Sequence, residues 1–179
     1  TGAPLPSKPI MFTFDDTDVY KVIEGASYAM QVKKDPALEH YIDSLITIIG
    51  KAQEQDGYLF TFRTANVKKP HEWIGTKRWE KEEELSHELY NSGHLFESAA
   101  AYYEATGKKT LLNIALKNAD LLVKDFGPGK LQIYPGHQIV EIGLVRLYRI
   151  TGNQKYLDLA KFFLDVRGPK GDAYNQANA

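Results

Sequence analysis

The chain has 179 residues, close to the length of one domain, and it contains 22 Lys and Arg against 23 Asp and Glu. The formal net charge of −1 argues against a general nucleic-acid or anionic-membrane binder, because either class needs a strongly basic face. A hydrophobic content of 43% indicates a packed core, no apolar run is long enough for a membrane-spanning helix, and the lack of cysteine excludes disulfides and thiolate chemistry within this chain. The sequence begins without Met or a signal-peptide pattern, so we expect a processed or truncated product and leave its compartment open.

Apolar residues at helical spacing predict six helices, which we take in chain order. They cover roughly residues 18–33, 36–54, 85–105, 109–126, 137–151 and 154–167. Asp35 followed by Pro36 is typical of a helix start, and Gly107 is typical of a left-handed helix end.

An internal repeat organises these helices into pairs. Residues 103–107 (YEATG) are echoed 45 residues later by residues 148–152 (YRITG), and a looser copy covers residues 28–38. The repeat predicts three helical hairpins in a helical array or toroid. The helices at 85–105 and 137–151 are apolar or alanine-rich on most sides, so we expect them to form an inner layer with the first helix, wrapped by the other three.

Two connections are much longer than the tight turns within each hairpin. They cover residues 55–84 and 127–136, and each leads from an outer helix to an inner one. In a ring of antiparallel hairpins such connections lie at the same end. Because long loops carry function, the sequence predicts a working face at that end.

Three of the five histidines fall at this predicted face. His87 and His94 are two helical turns apart on one side of an inner helix, while His137 begins another inner helix, with Glu141 one turn further along. Each could be a satisfied core or capping group, or could line a wet cavity. Their convergence at one end favours the cavity, and their spacing shows no metal-binding signature.

Other residues of the long connection are weaker candidates. Tyr58 follows a predicted turn and is a possible cavity aromatic, while Trp73 and Trp79 could either stack on a sugar ring or pack inside the protein. The charged run at residues 81–84 is predicted to be a solvated first helical turn.

The set of motifs in this chain resembles glycoside hydrolase family 127, the β-L-arabinofuranosidases. The motifs that carry the resemblance are residues 16–21 (DTDVYK), 56–59 (DGYL), 87–94 (HELYNSGH), 134–137 (YPGH) and 156–161 (YLDLAK). The resemblance implies an all-α fold in which antiparallel helical hairpins form about half of an (α/α)6 toroid. Residues 1–179 would then be a single region, the N-terminal portion of a catalytic domain in a longer chain.

The resemblance also implies a pocket for L-arabinofuranose in which histidines contact the sugar. By position these are similar to His94 and His137, with His87, Glu141 and Tyr58 as further substrate-binding candidates. The family's catalytic cysteine, its zinc site and its glutamate acid/base lie later in the family's chain. We therefore assign no catalytic residue, metal site or cofactor here and expect any zinc in the parent protein. The expected partners are an L-arabinofuranoside or related plant glycan and the remainder of the parent chain, with neither nucleic acid nor membrane.

Two hypotheses about function follow from the sequence. The chain is either part of a glycoside hydrolase, inactive alone, or a non-catalytic helical-repeat module that binds a carbohydrate or a protein partner through its loop end. The lack of cysteine favours the second for the chain in isolation. The ordered motifs favour the first for its parent.

Overall fold

The computed structural model describes residues 12–65 and 71–168, and this part of the chain is helical. Its helices are α1 Asp16–Val32, α2 Pro36–Ala52, α3 Thr61–Thr64, α4 Glu88–Thr106, α5 Thr110–Asp125, α6 Ile139–Thr151 and α7 Gln154–Arg167. The six predicted helices and the all-α class are confirmed. The short α3 within the first long connection was not predicted, and the described residues contain no strand beyond an isolated bridge between Phe126 and Leu131.

Local capping interactions explain where several helices begin and end. The Asp35 carboxylate accepts the backbone N–H groups of Ala37 and Leu38 at the start of α2, next to Pro36. Gly107 and Gly152 end α4 and α6 in the left-handed conformation. These ends produce the tight turns inside the second and third hairpins.

The hairpins stack side by side in two layers, as predicted. Helix α4 packs between α1 and α6 in the inner layer, and α5 packs between α2 and α7 in the outer layer. The core fills the space between the layers and includes the fully buried Ile23, Phe96, Leu122 and Phe163. Among the described residues, no helix is long and apolar enough to cross a membrane.

One face of α4 differs from the rest of this buried helix because it carries a line of polar side chains. Tyr90, His94, Glu97 and Glu104 follow the helical repeat along this face. Arg146 of α6 donates to Glu97 over 3.1 Å and to Glu104 over 2.9 Å. It also donates to the Tyr28 hydroxyl of α1 over 3.0 Å, so one guanidinium joins all three inner helices.

The prediction for residues 81–84 is wrong, because these residues form turns before α4 rather than its first helical turn. Glu82 is only 2% exposed, and its carboxyl group accepts the backbone N–H of Leu89 over 3.1 Å. It therefore caps α4 from outside the helix. The helix begins at Glu88 as a result, later than the sequence predicted.

Candidate functional site

The structure brings the three predicted histidines together around one tyrosine. Tyr90 lies on the first turn of α4, and its ring centroid is 4.7 Å from that of His94 and 4.7 Å from that of His137. The His87 ring lies 5.7 Å from Tyr90 on another side. The histidines come from the ends of both long connections and from α4, so the predicted loop end of the inner layer does assemble an imidazole-rich cluster.

Close packing of two glycines sets the distance between the helices that carry this cluster. A Cβ atom on Gly93 would lie 2.7 Å from the backbone of Ile139 and Val140 at the start of α6. A Cβ atom on Gly143 would lie 2.8 Å from the Gly93 carbonyl oxygen. Both approaches are too short for any side chain, so glycine at these positions lets α6 bring His137 up to Tyr90.

His87 occupies an unusual backbone conformation directly before α4. Its φ is +58°, which lies in the left-handed region where residues other than glycine are uncommon. Its Nδ1 donates to the Leu85 carbonyl over 2.7 Å, since a carbonyl can only accept. That bond places the ring hydrogen on Nδ1 and leaves Nε2 as an acceptor when the imidazole is neutral.

The surroundings of His94 and His137 favour uncharged imidazoles. Burial, assisted by the positive charge of Lys21, lowers the pKa of His94 to about 4. Burial also lowers the pKa of His137, with further contributions from His87, Arg167 and Lys21. His94 Nδ1 is buried and has no hydrogen-bond partner among residues 12–65 and 71–168. A neutral imidazole carries one donor and one acceptor nitrogen.

Glu141, on the first turn of α6, pairs with Arg167 at the end of α7. It is buried and lies 3.4 Å from the Arg167 guanidinium, and burial raises the pKa of its carboxyl group. Arg167 also donates to the carbonyl oxygen of Pro135. The end of α7 thus holds the second long connection, which leads to His137.

Tyr58 lies in the interior and is 1% exposed. Its hydroxyl donates to Glu88 over 2.5 Å and accepts from Arg63 over 3.2 Å. The ring packs edge-on against Trp79. The structure thus places Tyr58 beneath the start of α4, with its hydroxyl bonded to protein groups.

The two tryptophans differ in their surroundings. Trp79 is buried, and its indole N–H donates to Asp125 over 3.0 Å, which corresponds to the packing alternative. Trp73 is half-buried and stacks against Phe12 at a centroid distance of 6.5 Å.

Sequence reasoning missed two features of this region. Tyr90 was not a candidate, although it lies on the same helical face as His87 and His94 and its position could have been found from that spacing. The buried pair Glu82 and Glu88 was also missed, because a charged stretch of sequence does not indicate that two of its carboxyl groups are buried. Burial, together with the charge of Glu88, raises the pKa of Glu82 to about 8.

Comparisons with known proteins identify the family of the chain. The profile of the β-L-arabinofuranosidase, GH127 catalytic domain, matches residues 8–179. The chain belongs to glycoside hydrolase family 127. It is 39% identical over 163 residues to a non-reducing end β-L-arabinofuranosidase of Bifidobacterium longum subsp. longum.

Solved structures of family 127 share the fold. One, a β-arabinofuranosidase, is 54% identical and superposes over 96% of this chain with a TM-score of 0.88. Another, a β-L-arabinofuranosidase from Geobacillus stearothermophilus T6, is 40% identical over the same share with a TM-score of 0.81. The three hairpins between residues 12 and 168 are thus about half of an (α/α)6 toroid, as the sequence predicted.

The chain spans only part of these family 127 relatives. It covers 24% of the Bifidobacterium enzyme and 28% and 26% of the two solved chains. The described residues contain no group of three or more His, Cys, Asp or Glu side chains that could hold a metal ion, and the sequence has no cysteine. The residues present therefore do not fit a cysteine-ligated zinc site, and we derive no chemical step through one.

Proposed function

We propose that this chain is the N-terminal part of a longer β-L-arabinofuranosidase-like catalytic domain and supplies one wall of its sugar pocket. The observation that carries this proposal is the convergence of His94 and His137 on Tyr90 at the loop end of the inner helices. In this proposal the ligand is an L-arabinofuranoside or a related plant glycan, and both imidazoles contact its hydroxyl groups.

The chemistry of a neutral imidazole supports this assignment. A sugar hydroxyl both donates and accepts a hydrogen bond, and so does a neutral histidine ring. Lowered pKa values keep His94 and His137 neutral at the pH of most assays.

The other candidates have supporting roles in this proposal. His87 fixes the direction in which the chain enters α4. Glu141 holds Arg167, which bonds the connection that leads to His137, and Tyr58 holds Glu88 at the start of α4. We propose that the groups that break the glycosidic bond, with any zinc, belong to the rest of the parent protein. The chain alone should therefore bind weakly and not turn over substrate.

Substitution of the two histidines tests the binding role. In the protein from the complete reading frame, His94→Ala and His137→Ala should each weaken L-arabinose binding about fivefold to tenfold, the value of one or two hydrogen bonds, with little change in thermal stability. Calorimetric titration gives the affinities. His40→Ala is the control, because His40 is exposed on the outer helix α2. Unchanged affinity in both site variants would contradict the assignment.

Hydrolysis of p-nitrophenyl β-L-arabinofuranoside separates the two functional hypotheses. The complete reading frame should release nitrophenol, and residues 1–179 alone should not. Sugar binding without hydrolysis by the complete protein would instead favour a non-catalytic binding module.

A further inference from the structure

Lys21 of α1 reaches across the inner layer to the histidine cluster. Its ammonium donates to the Tyr90 hydroxyl over 3.1 Å and lies 5.3 Å from the centre of the same ring. Lys21 forms no ion pair with any carboxylate in the described part of the chain. Its charge is therefore directed at the cluster and is not neutralised by a neighbouring acid.

Tyr90 is the residue that all three histidines contact. His94 and His137 meet its ring at interplanar angles of 85° and 65°, and His87 meets it at 82°. Edge-to-face contacts of this kind favour one relative orientation over others, so the ring restrains the imidazoles that flank it. Side chains that are already held in one rotamer lose less conformational entropy when a ligand binds.

We propose that Tyr90 and Lys21 are positioning residues of the sugar site, in which the Tyr90 ring holds His94 and His137 and the Lys21 ammonium fixes the Tyr90 hydroxyl beside them. This inference rests on the proposed function and adds two residues to it. The Tyr90 oxygen accepts from Lys21, while its own hydrogen is donated to no residue in the described ranges. That hydrogen is available to a sugar oxygen next to the two imidazoles.

The charges around the cluster are consistent with this arrangement. The ionisable groups that act on His94 are Lys21 from α1 and His137, and those that act on His137 are Lys21, His87 and Arg167 from α7. All of them are cationic or neutral. Lys21 lowers the pKa of both His94 and His137, so its removal should raise both values.

Two conservative substitutions test the proposal in the protein from the complete reading frame. Tyr90→Phe keeps the ring but removes the hydroxyl, and Lys21→Met keeps much of the side-chain length but removes the charge. Each substitution should weaken L-arabinose binding about threefold to tenfold. Because the two groups act as one unit, the affinity of the double variant should equal that of the single variant with the lower affinity. Tyr90→Leu, which also releases the imidazoles, should bind more weakly than Tyr90→Phe.

A second measurement separates positioning from a merely structural role and does not need substrate. Hydrogen–deuterium exchange at the histidine C2 position, followed by peptide mass mapping, gives a titration midpoint for each ring. In Lys21→Met the His94 midpoint should move to higher pH at an unchanged melting temperature. The matched controls are Tyr41→Phe and Lys33→Met, since both residues are exposed and distant in sequence from the cluster.

The possible results are distinguishable. If His94→Ala weakens sugar binding but Tyr90→Phe and Lys21→Met change neither affinity nor histidine titration, the positioning roles are overturned and the proposed function stands. If no variant or parent binds L-arabinose, the proposed function fails. A shifted His94 midpoint in Lys21→Met would then still support the contact of Lys21 with the cluster, while an unshifted midpoint would refute it.

Discussion

Glu82 belongs to a charged run of sequence that is typical of the surface, but its side chain is buried. The side chain lies beside Glu88 and is bonded to Ser86 over 3.0 Å and to the backbone of Leu89. Burial, together with the negative charge of Glu88, raises the pKa of Glu82 to about 8. The carboxyl group is therefore largely protonated at neutral pH in the folded protein.

This raised pKa predicts a pH-dependent stability. An unfolded glutamate titrates near 4.3, so between about pH 4.5 and pH 8 the folded state binds more protons than the unfolded state, and stability falls as the pH rises. Glutamine cannot ionise, so Glu82→Gln should reduce this fall, by up to about 3 kcal/mol between pH 5 and pH 8.

Apparent melting temperatures at pH 5 and pH 8 measure this effect. The difference between the two values should be smaller in Glu82→Gln than in the parent protein. Glu72→Gln is the control, because Glu72 is exposed in the same connection. An unchanged difference in Glu82→Gln would show that Glu82 titrates normally.

At the scale of the elements, the contact between α4 and α6 links stability to the site. Gly93→Ala places a methyl group 2.7 Å from the backbone of Ile139 and Val140, and backbone cannot move aside as a flexible side chain can. We expect a loss of about 1–3 kcal/mol in unfolding free energy, as for other overpacked contacts. Because α6 must shift away from α4, His137 should also move away from Tyr90 and sugar affinity should fall.

Gly25→Ala provides a matched control on α1. An added Cβ there meets nothing within 4 Å, so this variant should be neutral or more stable by up to about 1 kcal/mol through improved helix propensity. Denaturation curves and calorimetry on both variants test the pair. Equal behaviour of Gly93→Ala and Gly25→Ala would refute the role of close helix packing.

The sequence alone predicted those elements whose cause is local. Asp35, Pro36, Gly107 and the apolar spacing act within one or two turns, so helix bounds were correct to within a few residues. Glu82 caps α4 through a loop, and Lys21 meets Tyr90 from another helix, so neither contact has a local signal. The histidines were found because they share one helical face and one end of the hairpins.

At the scale of the whole molecule, the two side edges of the helical stack are apolar. Val22 and Ile48 on the α1–α2 edge, and Ile142 and Leu164 on the α6–α7 edge, are each more than half exposed. A mostly apolar groove runs along the α1–α2 edge, and the groove on the α6–α7 edge combines Ile142, Val145 and Leu164 with charged side chains. Exposed patches of this kind promote association in water.

We therefore expect residues 1–179 in isolation to self-associate. Sedimentation velocity should show a sedimentation coefficient that rises with concentration, and Ile142→Lys with Leu164→Lys should reduce this rise. Leu85→Lys changes an exposed apolar residue away from both edges and should have no such effect. A monomer at every concentration would contradict the prediction.

The line of polar side chains along α4 restricts where the sequence can accept insertions or deletions. Inserting one residue in a helix rotates everything beyond it by about 100°. An insertion between His94 and Glu97 would turn Glu97 and Glu104 away from Arg146 and drive apolar side chains into their place. In an alignment of family members, gaps should therefore be absent from residues 88–106 and should collect in the connection at 53–87.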